Sequence, residues 1–409
     1  MVGNVPLPET FRQTTASAAG ARSGTRSTIA LRLLRLWYAG PPTVGQTAFL
    51  TTFSFTAAIY RRLLLQQMRR AQRNQAHLPA YVVSIGNLVA GGTGKTPFAI
   101  WLAQFYRHMG TRVAILSRGY GGTSRSGLQV PVAAGTSPAA LEFGDEPALM
   151  AQTMPDIPVW TGRRRSLSGL AAIEQGGAEL LVLDDGFQHL ALHRDLDIVL
   201  LDSANPFGNG RLIPIGPLRE PFDHLQRADV ILLTRADDPA KTAATFDFIR
   251  RRFPGKAVFR CRHHLSGFNW GITGPSVSLD ALRRRKLVAF AGIAHPESFF
   301  ASLTDLQLHL AAQTAFPDHC TYQPTDLVEL LALCSRLGAD LLITTEKDAV
   351  RLPPDFRRLV VTAHLELDFG ADLQPLKHYL VEHLRLSAGA VHPPNSGGNV
   401  SSRSTPAAP

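Results

Sequence analysis

The chain has 409 residues, 45% hydrophobic and 18% charged, which fits a globular protein with a substantial core and excludes a wholly disordered one. Its net charge of +10 calls for an anionic partner: a phosphorylated metabolite, an acidic membrane surface or nucleic acid. Three cysteines, Cys261, Cys320 and Cys334, lack paired spacing, which excludes a disulfide framework or zinc knuckle and fits a reducing compartment.

The length allows about two or three domains. Residues 1–30 are rich in Ser, Thr, Ala, Gly and Arg and read as a disordered tail, without the compact apolar core and cleavage site of a signal peptide. Residues 31–75 differ. Leucines, Trp37 and Tyr38 interleave with Arg32 and Arg35. An uncharged apolar run over 48–60 carries Phe49, Phe53, Phe55 and Ile59, and Arg61, Arg62, Arg69, Arg70 and Arg73 follow. The run falls short of the ~20 apolar residues a span needs. A helix lying in the membrane interface, its arginines against anionic lipid, fits better; the competing reading is a helix packed on the domain with solvated arginines.

Next comes Val82-Val83-Ser84-Ile85-Gly86-Asn87-Leu88-Val89-Ala90-Gly91-Gly92-Thr93-Gly94-Lys95-Thr96-Pro97, followed by an amphipathic run over 98–109. Strand, glycine-rich loop and helix in this order make a phosphate site: backbone N–H groups turn toward the phosphates and the helix N-terminus adds partial positive charge. Asn87, Gly91, Gly92, Thr93, Gly94, Lys95 and Thr96 are the expected nucleotide contacts. Lys95 reaches the β- and γ-phosphates, and the Thr96 hydroxyl ligates Mg²⁺. The strict phosphate-loop pattern places glycine where this chain has Val89.

A strand over 112–116 runs into Ser117-Arg118-Gly119-Tyr120-Gly121-Gly122, and Gly144-Asp145-Glu146-Pro147 opens a helix. Residues 157–160 read as a short strand. The helix beginning at Arg163-Arg164-Arg165 is either a solvated basic turn or a phosphate contact. Leu180-Leu181-Val182-Leu183-Asp184-Asp185 then delivers two aspartates at a strand end. Paired carboxylates there repel each other without a cation, so Asp184 and Asp185 are the expected Mg²⁺ ligands. Strands over 197–201 and 229–234 flank a long, basic, proline-stiffened loop, residues 207–221, of the kind that grips a substrate. Strands alternating with helices predict a parallel, doubly covered sheet.

The series GNLVAGGTGKTP, SRGYGG, GDEP, LDDGFQH and GRLIPIGPLREP resembles the tetraacyldisaccharide 4′-kinase family of lipid A biosynthesis, whose own loop is like this one at position 89. The likeness continues through GIAHPESF, PDH-x-x-Y and TTEKDAVRL, covering about residues 37–384; Cys320 stands where the family often has a second histidine. Beyond about residue 268 a smaller α/β unit is expected, with strands over 286–291, 341–344 and 359–362, helices over 325–337 and 373–386, and a disordered tail from Ser387.

The expected architecture is therefore α/β: a tail (1–30), a membrane-associated helical segment (31–75), a P-loop NTPase-like parallel-sheet kinase domain (76–265), a smaller α/β domain (266–386) and a second tail (387–409). The resemblance implies ATP and Mg²⁺ as cofactors. It implies transfer of the γ-phosphate to the 4′-hydroxyl of lipid A disaccharide 1-phosphate, and residence at the cytoplasmic face of the bacterial inner membrane, peripheral or monotopic. It also implies that Asp145 accepts the hydroxyl proton, supported by a histidine of the second domain that maps to His319, with domain closure assembling the pair. Arg118, Gln188, Arg219 and Glu220 are expected contacts to phosphate and sugar, and His295 reads as a surface histidine. Two rivals stand beside this: another P-loop ATP-dependent ligase or synthase, and a membrane-bound nucleotide switch. No recognisable nucleic-acid module accompanies the basic charge, so no nucleic-acid partner is expected.

Overall fold

The computed structural model describes residues 37–38, 53–123, 127–131 and 138–390. The expectations for residues 1–30 and 391–409 lie outside these. In chain order, helix α1 (Ser54–Arg73) precedes β1 (Tyr81–Asn87), α2 (Lys95–His108), β2 (Val113–Ser117), β3 (Leu128–Gln129), α3 (Asp145–Thr153), β4 (Val159–Thr161), α4 (Arg165–Gly176), β5 (Leu180–Leu183), β6 (Leu196–Asp202), β7 (Val230–Thr234) and β8 (Ala257–Arg260).

The eight strands form one sheet in the order β3-β4-β2-β5-β1-β6-β7-β8. All neighbours pair in parallel except the short edge strand β3. Strands β2, β5 and β7 are buried at every residue, and β1 and β6 at all but one, as strands rich in Val, Ile and Leu and covered on both faces require. Helix α2 lays Phe98, Leu102 and Tyr106 on this sheet at four-residue spacing, each fully buried. The chain works from β1 out to β2 and β4 on one side, then from β6 out to β7 and β8 on the other. The carboxyl ends of β1 and β5, side by side at this reversal, form the crevice where open α/β sheets bind ligands.

The second sheet runs β11-β10-β12-β13-β9, built from β9 (Arg262–Trp270), β10 (Lys286–Ala291), β11 (His309–Ala315), β12 (Leu341–Thr345) and β13 (Val360–Asp368). Between these strands lie α5 (Pro296–Asp305), α6 (Pro324–Leu337) and α7 (Glu346–Ala349); α8 (Leu373–Ala390) closes the chain. Only β9 is antiparallel. Cys261 alone separates β8 of the first sheet from β9 of the second. The chain later returns, because α8 buries Leu376 and Leu380 in the core beneath β1 and α2, and the Tyr106 hydroxyl donates to the Leu380 carbonyl at 3.3 Å. The two units are thus tied at both ends of the second. Strands β8, β9 and β11 were not read from the sequence. All three lie at sheet edges, where half-exposed residues blur the apolar signal. The closing helix continues to Ala390, past Ser387 where a tail was expected.

Helix α1 runs from Ser54 to Arg73 and takes in the arginines that follow the apolar run; residues 31–36 and 39–52 of the expected membrane-associated segment lie outside the described residues. Ala57 packs with Ile215 and Leu212, and the Tyr60 hydroxyl donates to the Arg219 carbonyl at 2.7 Å, so the helix lies on the 207–221 loop. Among the described residues no helix is long and apolar enough to cross a membrane.

Candidate active site

The phosphate loop starts as extended chain. Leu88 and Val89 are buried with Phe187 and Leu218. Val89 bridges Leu218 in antiparallel fashion, the Arg219 N–H donates to Leu88 O at 2.7 Å, and the Ala90 N–H donates to Pro217 O at 2.7 Å. Position 89 therefore needs no glycine: its backbone makes a β-bridge with Leu218 and its side chain is core. The turn falls later, at Gly91 (φ +132°) and at Gly94 (φ +84°), which caps α2 in a left-handed conformation that only glycine adopts at little cost. The loop's carbonyls are held from outside by Arg235 on Gly92 O (2.8 Å) and Thr234 on Thr93 O (3.0 Å). Asn87 bridges to Gly91 O (3.2 Å). Among the described residues no acceptor takes the N–H groups of Gly91, Gly92, Thr93 or Gly94. Tyr38 lies against this loop, its hydroxyl donating to Ala90 O at 2.9 Å, while Trp37 donates from Nε1 to Pro214 O of the 207–221 loop at 3.1 Å.

Lys95 and Thr96 open α2, and Lys95 faces the end of β5. Asp185, at φ +51°, turns its carboxylate to Lys95 Nζ (3.6 Å) and Arg219 Nη1 (2.8 Å). Burial would raise its pKa, but the charges of Lys95 and Arg219 bring it down to about 2. Asp184 is 2% exposed and its Oδ1 has no hydrogen-bond partner. Burial, then the charges of Glu146 and Asp185, push it up to about 7. A buried carboxylate with an unused oxygen, beside a second carboxylate, is a donor pair suited to a hard divalent cation that also takes phosphate oxygens.

The four further contacts expected from the sequence part company. Arg118 is exposed beyond the end of β2, and Arg219 is ion-paired with Asp185. Gln188 donates to Asn87 O (2.9 Å) and to Glu220 Oε1 (2.7 Å). Glu220 is 1% exposed, and its carboxylate is filled by Gln188, His224 and Arg227. Burial opposes its charge, but these bonds keep its pKa below the ordinary glutamate value. Glu220 thus braces the 207–221 loop against the phosphate loop. Arg163 and Arg164, just before α4, are exposed; Arg165, which opens it, is buried and donates to the Asp184 carbonyl at 3.1 Å.

The second cluster joins the two units. Gly144 (φ +94°) caps α3, and a Cβ there would lie 2.5 Å from Tyr120 O, so SRGYGG seats directly on the helix that Asp145 opens. Asp145 Oδ2 is 3.3 Å from His319 Nδ1, and His319 occupies a left-handed turn (φ +58°) of the second unit. His319 Nε2 lies 3.3 Å from Lys347 Nζ, which also pairs with Glu146 at 3.4 Å. Burial would raise the Asp145 pKa; the His319 bond and the Arg351 charge hold it below the usual value. His319 is 42% exposed and Asp145 22%, so a solute can reach the pair. The contact, expected to need closure, is already made here. His295 pairs with Glu297 at 3.2 Å at the start of α5. Cys320, packed where a Cβ on Gly292 would stand, has its thiol pKa pushed up to about 11 by burial.

Most of the chain answers to one family. A model of the tetraacyldisaccharide-1-P 4′-kinases matches residues 46–385. The chain belongs to that family. A tetraacyldisaccharide 4′-kinase of Syntrophobacter fumaroxidans is 46% identical over 357 residues, covering 87% of this chain and 94% of that one. One from Anaeromyxobacter dehalogenans is 41% identical over 340 residues, covering 81% and 88%. Among solved structures, an "apo" form of LpxK from Aquifex aeolicus in complex with ATP superimposes with a TM-score of 0.66 at 30% identity, covering 82% of this chain and 99% of that one. The P-loop ligase and the nucleotide switch are not favoured beside these kinases. Sequence reasoning missed Lys347 and Arg351, which stand against His319, Glu146 and Asp145, although TTEKDAVRL was noticed; short exposed-looking helices carry no sign of what they face. It also missed Trp37 and Tyr38, whose partners lie far away in sequence.

Proposed function

We propose that the protein transfers the γ-phosphate of ATP to the 4′-hydroxyl of a tetraacyldisaccharide 1-phosphate, giving lipid IVA in lipid A biosynthesis. The observation that carries this is the joining of two clusters. The Asp145–His319 pair stands beside Glu146, whose charge reaches Asp184 at the phosphate loop, so a proton acceptor and a phosphate site share one crevice.

Phosphoryl transfer asks a protein for position and for neutralised charge. Lys95 leaves Asp185 for the β- and γ-phosphates, and the unpaired loop N–H groups and the start of α2 hold the remainder. Thr96, Asp184 and Asp185 are the residues that would hold magnesium, which when bound neutralises charge on the phosphates. Asp145, ionised at neutral pH, takes the hydroxyl proton with His319 beside it. Arg118 and Tyr120, exposed on the loop that seats α3, border the place for the sugar phosphate.

The lipid substrate places the reaction at a surface. Helix α1 exposes Phe55, Ile59 and Leu63 at four-residue spacing, flanked by Arg61, Arg62, Arg69, Arg70 and Arg73. That pattern supports peripheral attachment at the cytoplasmic face of the inner membrane, with the active crevice tied to the lipid through the 207–221 loop.

The test is radiolabelled ATP with tetraacyldisaccharide 1-phosphate in detergent, followed by lipid separation. Label in the lipid, dependent on the acceptor and lost on replacing Lys95 by Ala, is expected. Nucleotide binding without transfer to any added disaccharide lipid would refute the assignment. Flotation with anionic vesicles tests the attachment: replacing Phe55, Ile59 and Leu63 by Ser should release the protein, and undiminished flotation would remove α1 from the lipid surface.

A further inference from the structure

One side chain touches the Asp145–His319 pair and is held entirely from the second unit. Arg351 follows α7 and is 4% exposed. From behind, its Nη1 donates to Gly292 O at 2.9 Å and to Asp348 Oδ1 at 3.2 Å. Asp348 is fully buried and is itself fixed by the Tyr322 hydroxyl (2.8 Å), the Thr345 hydroxyl (2.6 Å) and the Gly292 N–H (2.9 Å). In front, Arg351 Nε donates to Asp145 Oδ2 at 2.8 Å, the oxygen that also faces His319. Asp145 Oδ1 makes no hydrogen bond among the described residues.

We propose that Arg351 is a positioning residue for the proton acceptor, and that Oδ1 of Asp145 is the atom that receives the hydroxyl proton. This rests on the kinase reading above. Arg351 and His319 together occupy Oδ2, which fixes the carboxylate's rotation and leaves Oδ1 as its one unengaged oxygen. As the sugar oxygen bonds to the γ-phosphorus, the bond from that phosphorus to the bridging oxygen breaks, its electron pair leaves with ADP, and the hydroxyl proton passes to Oδ1. Because Asp348, Tyr322 and Thr345 belong to the second unit and Asp145 to the first, the acceptor is competent only while the units are apposed as they are here.

The charges around Asp145 fit this role. Arg351 and His319 face it from the second unit, with Lys347 and Asp318 behind His319; Glu146, paired with Lys347, follows it on α3. Arg351 is the permanent cation in direct contact, so its loss leaves Asp145 easier to protonate.

The experiment replaces Arg351 by Gln and by Lys in the full chain and measures transfer to the lipid acceptor, ATP binding and the pH profile of kcat. For Arg351→Gln, kcat should fall on the order of tenfold to a hundredfold, as misplacement of a reacting group does. ATP affinity should hold within about twofold, since no phosphate contact is touched, and the acidic limb of the profile should move to higher pH. Arg351→Lys keeps a cation but cannot bond Asp348, Gly292 and Asp145 together; its kcat should fall less, with the limb where wild type has it. If the Gln variant does not fold, the Lys variant decides: a several-fold loss of kcat at unchanged ATP affinity supports positioning, and full kcat overturns it. A Gln variant with wild-type kcat and profile, or one whose loss comes with no limb shift and no recovery by Lys, overturns the proposal. A wild-type protein without lipid transfer would instead refute the kinase reading.

Discussion

Adding a single methyl group at Gly86 should separate the two halves of the nucleotide site. Gly86 lies in β1, one residue before the strand's end, and a Cβ there would stand 2.4 Å from Phe187 Cβ and 2.8 Å from Phe187 N. Carbon atoms pack at about 3.5–4.0 Å, so the Phe187 backbone must retreat by about 1 Å. It has nowhere to go at low cost, because Phe187 is fully buried under the Arg227 guanidinium and the Gly186 N–H is bonded to Ile85 O at 2.8 Å. Overpacking of this kind costs about 1–3 kcal/mol of stability. The retreating segment carries Asp184 and Asp185, so the same displacement moves the acidic pair away from Lys95 and Thr96, and about 1 Å at a reacting centre costs on the order of a hundredfold in rate. Gly86→Ala should therefore lower the thermal midpoint and cut kcat at saturating ATP, measured by calorimetry and by transfer to lipid. A variant with wild-type midpoint and kcat would mean that the packing of β1 against the Asp-Asp loop does not set the site's geometry.

Three further outcomes are expected. Lys95→Ala should lose most turnover, because it removes the ammonium that opens α2 beside Asp185 and is assigned to the β- and γ-phosphates; near wild-type kcat at saturating ATP would displace the phosphate-loop assignment. Asp145→Ala and His319→Ala should each cut kcat by orders of magnitude with ATP affinity preserved, and the double variant should lose little more, while strictly additive losses would show that the two act independently. His263, whose ring nitrogen lies 2.6 Å from where a Gly94 Cβ would stand, has its pKa lowered to about 4 by burial and by the Arg235 charge. Its neutral form stabilises the fold above about pH 6.5, and that contribution is lost as pH falls toward 4, reaching about 2 kcal/mol at about pH 5. Urea unfolding at about pH 7.5 and about pH 5 should show a smaller acid loss for His263→Gln than for wild type; equal losses would place the acid sensitivity elsewhere.

The sequence by itself determined the elements whose chemistry is local. Continuous apolar runs at 180–183 and 230–233, and the β-branched run at 82–85 broken only by Ser84, specify buried parallel strands because no half-exposed strand tolerates them, and β5, β7 and β1 are those strands. A glycine-rich loop leading to Lys95 and Thr96 specifies a phosphate cradle because its N–H groups and helix start lie within a few residues of one another. Only tertiary structure decided the rest, since contacts made across the chain leave no periodic trace. Val89 looks like a departure in the sequence alone; the β-bridge with Leu218 and burial in the core explain it. Glu220 looked like a substrate contact by its place in a basic loop, and is a buried brace because Gln188, His224 and Arg227 converge on it. Arg351 lies in an ordinary short motif, yet the return of the second unit sets its guanidinium on Asp145, more than two hundred positions earlier in the chain. Local sequence fixes which backbone can bind a phosphate; long-range packing fixes which charged side chains are neutralised structure and which are left to act.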